Sequence, residues 1–148
     1  MNPNMSPENI HTISGFIRDH SNPLVKLYVE QTLKGEKPPR LDAAMRRMVS
    51  AGCERYQHKW QALKALKDAL PITEHTKPSV TLLLPLFKRA PNEEAVSFYH
   101  SVYVDGDSQH VVAKKLGLRQ PNASRLCHRF DTLHAQAIDA IASVFLGK

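Results

Sequence analysis

The sequence predicts an all-α protein, with an N-terminal helical bundle followed by a C-terminal helix-turn-helix and a long terminal helix. Two observations predict this class. Apolar residues recur at spacings of three and four along most of the chain, which is the period of a helix with one buried face. Helix-start signals, in which Ser or Asn stands directly before Pro, precede the first two of these segments. We find no convincing pair of strands and no internal repeat.

Two short helices are predicted at the start of an N-terminal region that spans residues 1–75. Ser6 and Pro7 begin the first helix, whose expected core face is Ile10, Ile13, Phe16 and Ile17. Asn22 and Pro23 begin the second helix, whose expected buried stripe is Leu24, Leu27, Tyr28 and Thr32. Gly35 is the expected end of this second helix, since glycine commonly follows the last helical turn.

The longest helical pattern runs from Leu41 or Asp42 to about Leu70. Its apolar positions are Met45, Met48, Val49, Cys53, Tyr56, Trp60, Leu63, Leu66 and Leu70. We interpret the methionines and the tryptophan as core residues rather than as ligands for a cofactor. The stretch "PITEHTKPS" breaks the pattern, so the boundary with a second region, residues 76–148, is placed there. The apolar segment "SVTLLLPLF" that follows is predicted to be a short buried helix rather than a strand.

A helix-turn-helix is predicted from residue 108 onward, after a helix capped by Asn92 and a turn at Asp105 and Gly106. Ser108 is the expected cap of one helix, and Gln120 the expected cap of the next, with Pro121 at its first position. A helix pair of this kind needs a small residue at the crossing, a turn glycine and apolar flanks. The matching residues are Val112, Ala113, Leu116, Gly117, Leu118, Ala123 and Leu126.

The polar residues left on the outside of this helix pair are candidate DNA contacts. They are Gln109, Lys114, Lys115, Arg119, Gln120, Asn122, Ser124, Arg125, His128 and Arg129. Arginine pairs bidentately with guanine, and Gln or Asn with adenine, while lysine reaches phosphate. No carboxylate occurs between Ser108 and Phe130, whereas a merely solvated helix face usually mixes charge signs. The apolar stripe continues towards Val144, so the last helix either extends the recognition helix or folds back on the long helix.

Charge and cysteine content agree with an intracellular nucleic-acid-binding protein. The formal net charge is +6, which favours acidic partners. Only Cys53 and Cys127 are present and no CxxC motif occurs, which indicates neither a disulfide framework nor structural zinc. His110, His128 and His134 have no recognised metal-ligand spacing, so no metal or cofactor is expected. The absence of a signal sequence and of a long apolar run predicts a soluble, cytoplasmic protein.

Other function classes receive less support from the sequence. We find no P-loop, GxGxxG, HExxH or GxSxG motif, and the adjacent Glu93 and Glu94 point in different directions, so an enzyme is not expected. Aromatic residues are only 7% of the chain, which disfavours base stacking of the kind seen in RNA binding. The main alternative is a helical protein–protein adaptor, whose helix-turn-helix is a docking module or binds nucleic acid only non-specifically.

At residues 99–131 the sequence resembles the helix-turn-helix of the TrfB/KorA plasmid repressors. The shared positions are Val104, Asp105, Gly106, Gln109, Ala113, Leu116, Gly117, Leu118, Ser124, His128 and Arg129. A weaker resemblance to the PapB-type regulators of fimbrial operons rests on Val104, Gly106, Ser108, Ser124 and Arg129. The resemblance implies a sequence-specific transcriptional regulator, usually a dimer on symmetric operators.

Three departures from these families limit what the resemblance implies. Arg125 stands where the KorA-type repressors have a glutamine that reads a base, so the target sequence should differ. Gln120 replaces an arginine early in the recognition helix, and Pro121 stands where both families favour glycine. The motif lies near the C-terminus rather than before a dimerisation region. The sequence therefore predicts a DNA-binding regulator, with the N-terminal helices serving a homodimer or a protein partner.

Overall fold

The computed structural model describes residues 5–69 and 80–146, and every regular element within them is helical. The α-helices are α1 (Pro7–Ser14), α2 (Pro23–Leu33), α3 (Ala43–Ala69), α4 (Val80–Leu83), α5 (Glu93–Tyr99), α6 (Gln109–Leu116) and α7 (Gln120–Phe145). A 3₁₀ turn at Leu84–Leu86 follows α4, and a π-helical segment at His100–Val104 continues α5. The predicted all-α class is confirmed. The last helix is continuous from Gln120 to Phe145, so it extends the predicted recognition helix, and it also lies against the long helix α3.

Polar side chains begin five of these helices, as the sequence predicts for four of them. Ser6, Asn22, Asp42, Asn92 and Ser108 each accept a hydrogen bond, at 2.7–3.2 Å, from a backbone N–H two or three residues later. Such a bond satisfies a donor that the first helical turn leaves without a partner. Gly35 follows the end of α2 with φ +85°, so the predicted stop is also observed. Helix starts are therefore determined by local chemistry that the sequence displays directly.

The buried face of α2 differs from the predicted stripe of Leu24, Leu27, Tyr28 and Thr32. The structure buries Val25, Val29 and Leu33 instead, and Leu24 and Leu27 are 50% and 46% exposed. The reason lies on α3, where Gly52 has no side chain. The Val29 Cγ2 atom lies only 2.5 Å from where a Cβ of that glycine would stand. The prediction is wrong for Leu24, Leu27 and Thr32, because α2 approaches α3 through this valine, whereas Tyr28 is partly buried and packs against the core.

The predicted core faces of α1 and α3 are observed, with one exception. Ile10, Ile13 and Phe16 are buried, and so are the α3 residues Val49, Cys53, Tyr56, Leu63 and Leu66. Met45 and Trp60 are partly buried and pack against this core. Met48, in contrast, is 40% exposed, so its assignment to the core is wrong. Leu70 lies outside the described residues.

One hydrophobic cluster runs through both halves of the chain. The helix α7 packs against α1 and α3, and the rings of Trp60 and Phe145 lie 5.0 Å apart. Gln136 on α7 donates a hydrogen bond of 3.0 Å to the Gly15 carbonyl at the end of α1. The boundary predicted near residue 75 lies outside the described residues. On either side of it, the chain contributes to a common core.

Candidate nucleic-acid interface

The helices α6 and α7 are joined by a tight turn at Gly117. Ser108 begins α6 by accepting a hydrogen bond of 3.2 Å from the N–H of Val111, as predicted. Gly117 ends α6 with φ +72°, in the left-handed region where glycine avoids the clash that a Cβ would cause. The N–H of Leu118 then donates to the Ala113 carbonyl at 2.8 Å, which turns the chain back over the end of the helix. The turn glycine therefore has the role that the sequence predicts.

The start of α7 differs from the prediction that Gln120 is its cap. Arg119 occupies the capping position with an extended backbone, and Gln120 is the first residue of the helix. No side chain caps α7. Pro121, one residue further on, has no N–H to satisfy, which lowers the need for a cap. The Gln120 amide instead hydrogen-bonds the Nδ1 atom of His110 on α6, with a separation of 2.7 Å.

The predicted apolar positions of the helix pair face the interior, whereas Val111 on α6 is 55% exposed. Val112, Ala113 and Ala123 are buried, and Leu116, Leu118 and Leu126 are partly buried against the same core. Neither Ala113 nor Ala123 has measurable exposure, which agrees with a small residue on each helix where the two come together. Turning these positions inward determines which side chains remain outside.

The outer face carries the ten predicted contact residues, and nine of them are exposed. The exposed ones are Lys114, Lys115, Arg119, Gln120, Asn122, Ser124, Arg125, His128 and Arg129. Gln109 is half-buried. The lysines and arginines of this face form no ion pair with any described residue, because the ion pairs found in residues 5–69 and 80–146 lie elsewhere. Their positive charge is therefore not neutralised by the described part of the protein.

Hydrogen bonds engage part of this polar face within the protein. The Gln109 amide donates to the Ser124 hydroxyl at 3.0 Å, and the Gln120 amide contacts His110. Both bonds connect α6 to the first turns of α7. These side chains consequently fix the relative position of the two helices. The contact role predicted for Gln109, Gln120 and Ser124 would require these exposed bonds to open or to be shared.

A second part of the face borders an open groove between α7 and residues 86–95, hereafter the α7 groove. The predicted contact residues that line it are Asn122, Arg125, His128 and Arg129. Across the groove stand Lys88 and Arg89, which the sequence pattern did not indicate. Glu94 is the one carboxylate among the described residues that line it. The lysines of α6 do not line this groove. The predicted residues therefore fall into two groups, one along α6 and the start of α7 and one along the groove.

Lys88 and Arg89 escape sequence-based prediction because they lie far from the helix pair in the sequence. The only signal is an adjacent basic pair directly after the apolar segment that contains α4. The described residues also anchor this segment: the Lys59 ammonium group on α3 donates to the carbonyls of Pro85 and Phe87, the latter at 2.8 Å. Burial lowers the pKa of Lys59. The backbone that presents the basic pair is thus attached to the long helix.

Tyr103, in the π-helical segment, contacts α7 through both its hydroxyl and its ring. Its hydroxyl donates to an Asp131 carboxylate oxygen at 2.8 Å and lies 3.3 Å from the Cys127 carbonyl, and its ring stacks on Phe130 with centroids 4.1 Å apart. Burial, together with the hydrogen bond to Asp131, raises the pKa of the Tyr103 hydroxyl, so it remains a donor at neutral pH. Asp131, the first carboxylate after the basic face, is therefore engaged by the Tyr103 hydroxyl.

Neither a metal-ligand cluster nor a membrane-spanning helix is found in the described residues. Within residues 5–69 and 80–146, no three His, Cys, Asp or Glu side chains are grouped so that they could hold a metal ion. Burial raises the pKa of the Cys127 thiol, which keeps it in its neutral form. Of the helices in this part of the chain, none has the length and apolar character needed to cross a bilayer.

Comparison with known proteins finds no match to this chain. Neither a protein-family model, nor a curated protein, nor a solved structure matches this chain. The resemblance of residues 99–131 to the TrfB/KorA and PapB-type regulators therefore stays a prediction from the residues themselves.

Proposed function

We propose that this chain is a sequence-specific DNA-binding transcriptional regulator, which acts as a homodimer on a symmetric operator. The first turns of α7 enter the major groove, and α6 lies across the backbone of the duplex. The proposal includes a cytoplasmic location, where a regulator of this kind meets its DNA. No cofactor and no catalytic step is part of it.

The observation that carries the proposal is the exposed, carboxylate-free face of the helix pair. Burial of the apolar side leaves nine polar or basic side chains on the outside, and none of their charges pairs with a described acidic residue. A protein that neutralises DNA phosphates gains affinity because the counterions of those phosphates are released. Lys and Arg side chains without an ion-pair partner can provide this contribution to the binding affinity. The adjoining Asn, Gln and Arg side chains have the donor and acceptor pattern that reads base edges.

Different side chains receive different roles in this proposal. Arg125 is assigned to a base, because it lies on the exposed side of α7 one turn after the helix begins. Lys114 and Lys115, at the end of α6, are assigned to phosphates. The dimer places two copies of α7 about one helical turn apart along the duplex, which predicts an operator with two-fold symmetry.

The experiment is selection of bound duplexes from a random DNA pool at about physiological salt, with the wild type and Arg125→Ala in parallel. We expect the wild type to enrich a palindrome. Arg125→Ala should lose about 1–3 kcal/mol of discrimination at one base pair per half-site, because it removes a bidentate contact. Arg47→Ala is the matched control, since it removes the same charge from an exposed position on α3.

Lys115→Ala tests the phosphate contacts separately. It should weaken binding to all sequences alike and lower the slope of log K against log salt by about 0.9, the value for one phosphate contact. The enriched sequence should not change. Titration of operator and scrambled duplexes over a series of salt concentrations measures both quantities. An unchanged salt slope for Lys115→Ala, or unchanged base preference for Arg125→Ala, would contradict the docking proposed here.

The second candidate is a helical adaptor, and the exposed leucines of α2 favour it. Leu24 and Leu27 are about half exposed on one helix, which is an apolar surface available to a partner. Binding of DNA without enrichment of any sequence, lost steeply as salt rises, would favour this candidate over the regulator.

A further inference from the structure

A second basic groove lies beside the α7 groove, on the N-terminal half of the molecule. It is formed by the loop after α1, by α3 and by Pro85–Lys88, and is called here the α3 groove. Its charged and titratable lining residues are Arg18, Asp19, His20, Arg55, His58, Lys59 and Lys88. None of these residues belongs to the predicted contact set. The groove is open and has a volume of about 680 Å³.

The charge of the α3 groove is strongly unbalanced. Asp19 is the one carboxylate among its described lining residues, and it already pairs with Lys26 at 3.2 Å. Lys59 donates to backbone carbonyls and so has acceptors of its own. Arg18, Arg55 and Lys88 form no ion pair with a described residue. Three cations consequently face the groove without a described counter-charge.

The groove does not have the chemistry of a small-molecule pocket. Its volume is in the range of ligand pockets, but those are lined predominantly by apolar and aromatic side chains with a few polar groups. Among the described residues that line the α3 groove, only Ile17 and Pro85 are apolar. Arginine and lysine side chains around an open concave surface are instead the chemistry that binds a phosphate backbone.

The two grooves adjoin, because Lys88 lines both of them. A basic surface therefore continues from Arg125 and Arg129, over Lys88 and Arg89, to Arg55. The bonds of Lys59 to Pro85 and Phe87 attach the connecting segment to α3. A strand of duplex DNA presents one phosphate for about every 3.4 Å of helix axis, so a duplex longer than the half-site can follow such a surface.

From this continuity we infer that the α3 groove binds backbone phosphates of the DNA that flanks the half-site read by α7. The inference rests on the proposed function, and it extends the DNA contact beyond the helix pair. Arg18 and Arg55 are the principal contacts, and Lys88 lies between the two grooves. These contacts raise affinity without changing the preferred sequence, because phosphates are the same at every base pair.

The test compares a double variant, R18A/R55A, with the wild type on two duplexes. The long duplex carries the selected operator and about one further helical turn on each side, and the short duplex ends at the half-sites. On the long duplex, the double variant should lower the slope of log K against log salt by about 2, at about 0.9 for each phosphate contact. On the short duplex its slope should equal that of the wild type. The conservative variant R18K/R55K should restore the long-duplex slope.

The matched control is R46A/R47A, which removes the same charge from two exposed positions on α3, the helix that carries Arg55. We expect it to leave the slope unchanged on both duplexes. Equal slopes for R18A/R55A and R46A/R47A on the long duplex would overturn the inference, even if Arg125→Ala still alters base preference and the proposed function stands. A wild type that binds neither duplex would overturn both proposals. Far-ultraviolet circular dichroism checks that each variant is folded.

Discussion

The two long helices of this protein have almost the same length but very different outer faces. The helix α3 has 27 residues and α7 has 26, and the two pack against each other in one core. Exposed residues of α3 mix both signs of charge, as in Arg46, Arg47, Glu54, Lys64 and Asp68. The first ten residues of α7 carry positive charge only, and its first carboxylate, Asp131, is bonded to Tyr103.

This difference shows that burial of an apolar stripe does not determine the charge of the opposite, solvent-facing side of a helix. Both helices must turn one apolar stripe inward, because that burial is the main favourable contribution to folding. Nothing in the core requires the opposite face to have one sign of charge, and mixed charges are better for solubility and for the helix itself. A helix face with a single sign of charge is therefore not explained by folding and points to an interaction with another molecule. The single-sign face at the start of α7 is therefore the part of the two helices for which the core offers no explanation, and it is the face assigned to DNA in the proposed function.

The largest expected loss of stability comes from truncating Phe130, the buried ring through which α7 packs on the π-helical segment and the end of α5. Phe130 is 1% exposed and packs against the rings of Tyr99 and Tyr103. Phe130→Ala should reduce the free energy of unfolding by about 3–5 kcal/mol, the usual cost of such a truncation. Trp60→Ala on α3 should cost less, because that ring is only partly buried. Urea unfolding of both variants measures the two losses, and equal losses would contradict this view of α7.

A smaller effect is expected at the glycine that leads into α7. Gly117 has φ +72°, and no atom lies within 4 Å of the position that a Cβ would occupy, so the cost of a side chain there is purely conformational. Gly117→Ala should lower the free energy of unfolding by about 1–2 kcal/mol, because the left-handed conformation is unfavourable for alanine. Gly117→Asn should lose less, since asparagine tolerates that region. Thermal unfolding distinguishes the two, and equal stability of all three proteins would exclude the left-handed turn.

The smallest expected loss of stability comes from removing the hydroxyl of Tyr103, which contacts α7, and it is compared with the same change at Tyr56 on α3. Tyr103→Phe should cost about 0.5–1.5 kcal/mol, the typical net value of a hydrogen bond, because the partner Asp131 remains exposed to water. Tyr56→Phe is the comparison, since Tyr56 is buried but its hydroxyl makes no hydrogen bond to a described residue. We expect that variant to stay within about 0.5 kcal/mol of the wild type. A loss at Tyr56 that equals the loss at Tyr103 would mean that the bond to Asp131 does not stabilise α7.

The helix pair is predicted more accurately than the helix α2, and the reason is physical. At the helix pair, Ser108 and Gly117 act on their own neighbours, so the Ser108 hydroxyl determines where α6 starts and the left-handed backbone of Gly117 determines where it ends. In α2, two stripes compete, since Leu24 and Leu27 form one apolar face and Val25 and Val29 form another. Periodicity alone cannot choose between them. The choice depends on a glycine in a different helix.

The sequence by itself determined the all-α class, the helix starts at Ser6, Asn22, Asn92 and Ser108, and the inward and outward faces of the helix pair. Each of these depends on residues within a few positions of one another. Only the tertiary structure decided that Val29 meets Gly52, and that Lys88 and Arg89 stand across a groove from Arg125 and Arg129. Such pairs lie far apart along the chain. Their contact is set by how whole helices pack, which no local pattern of residues contains.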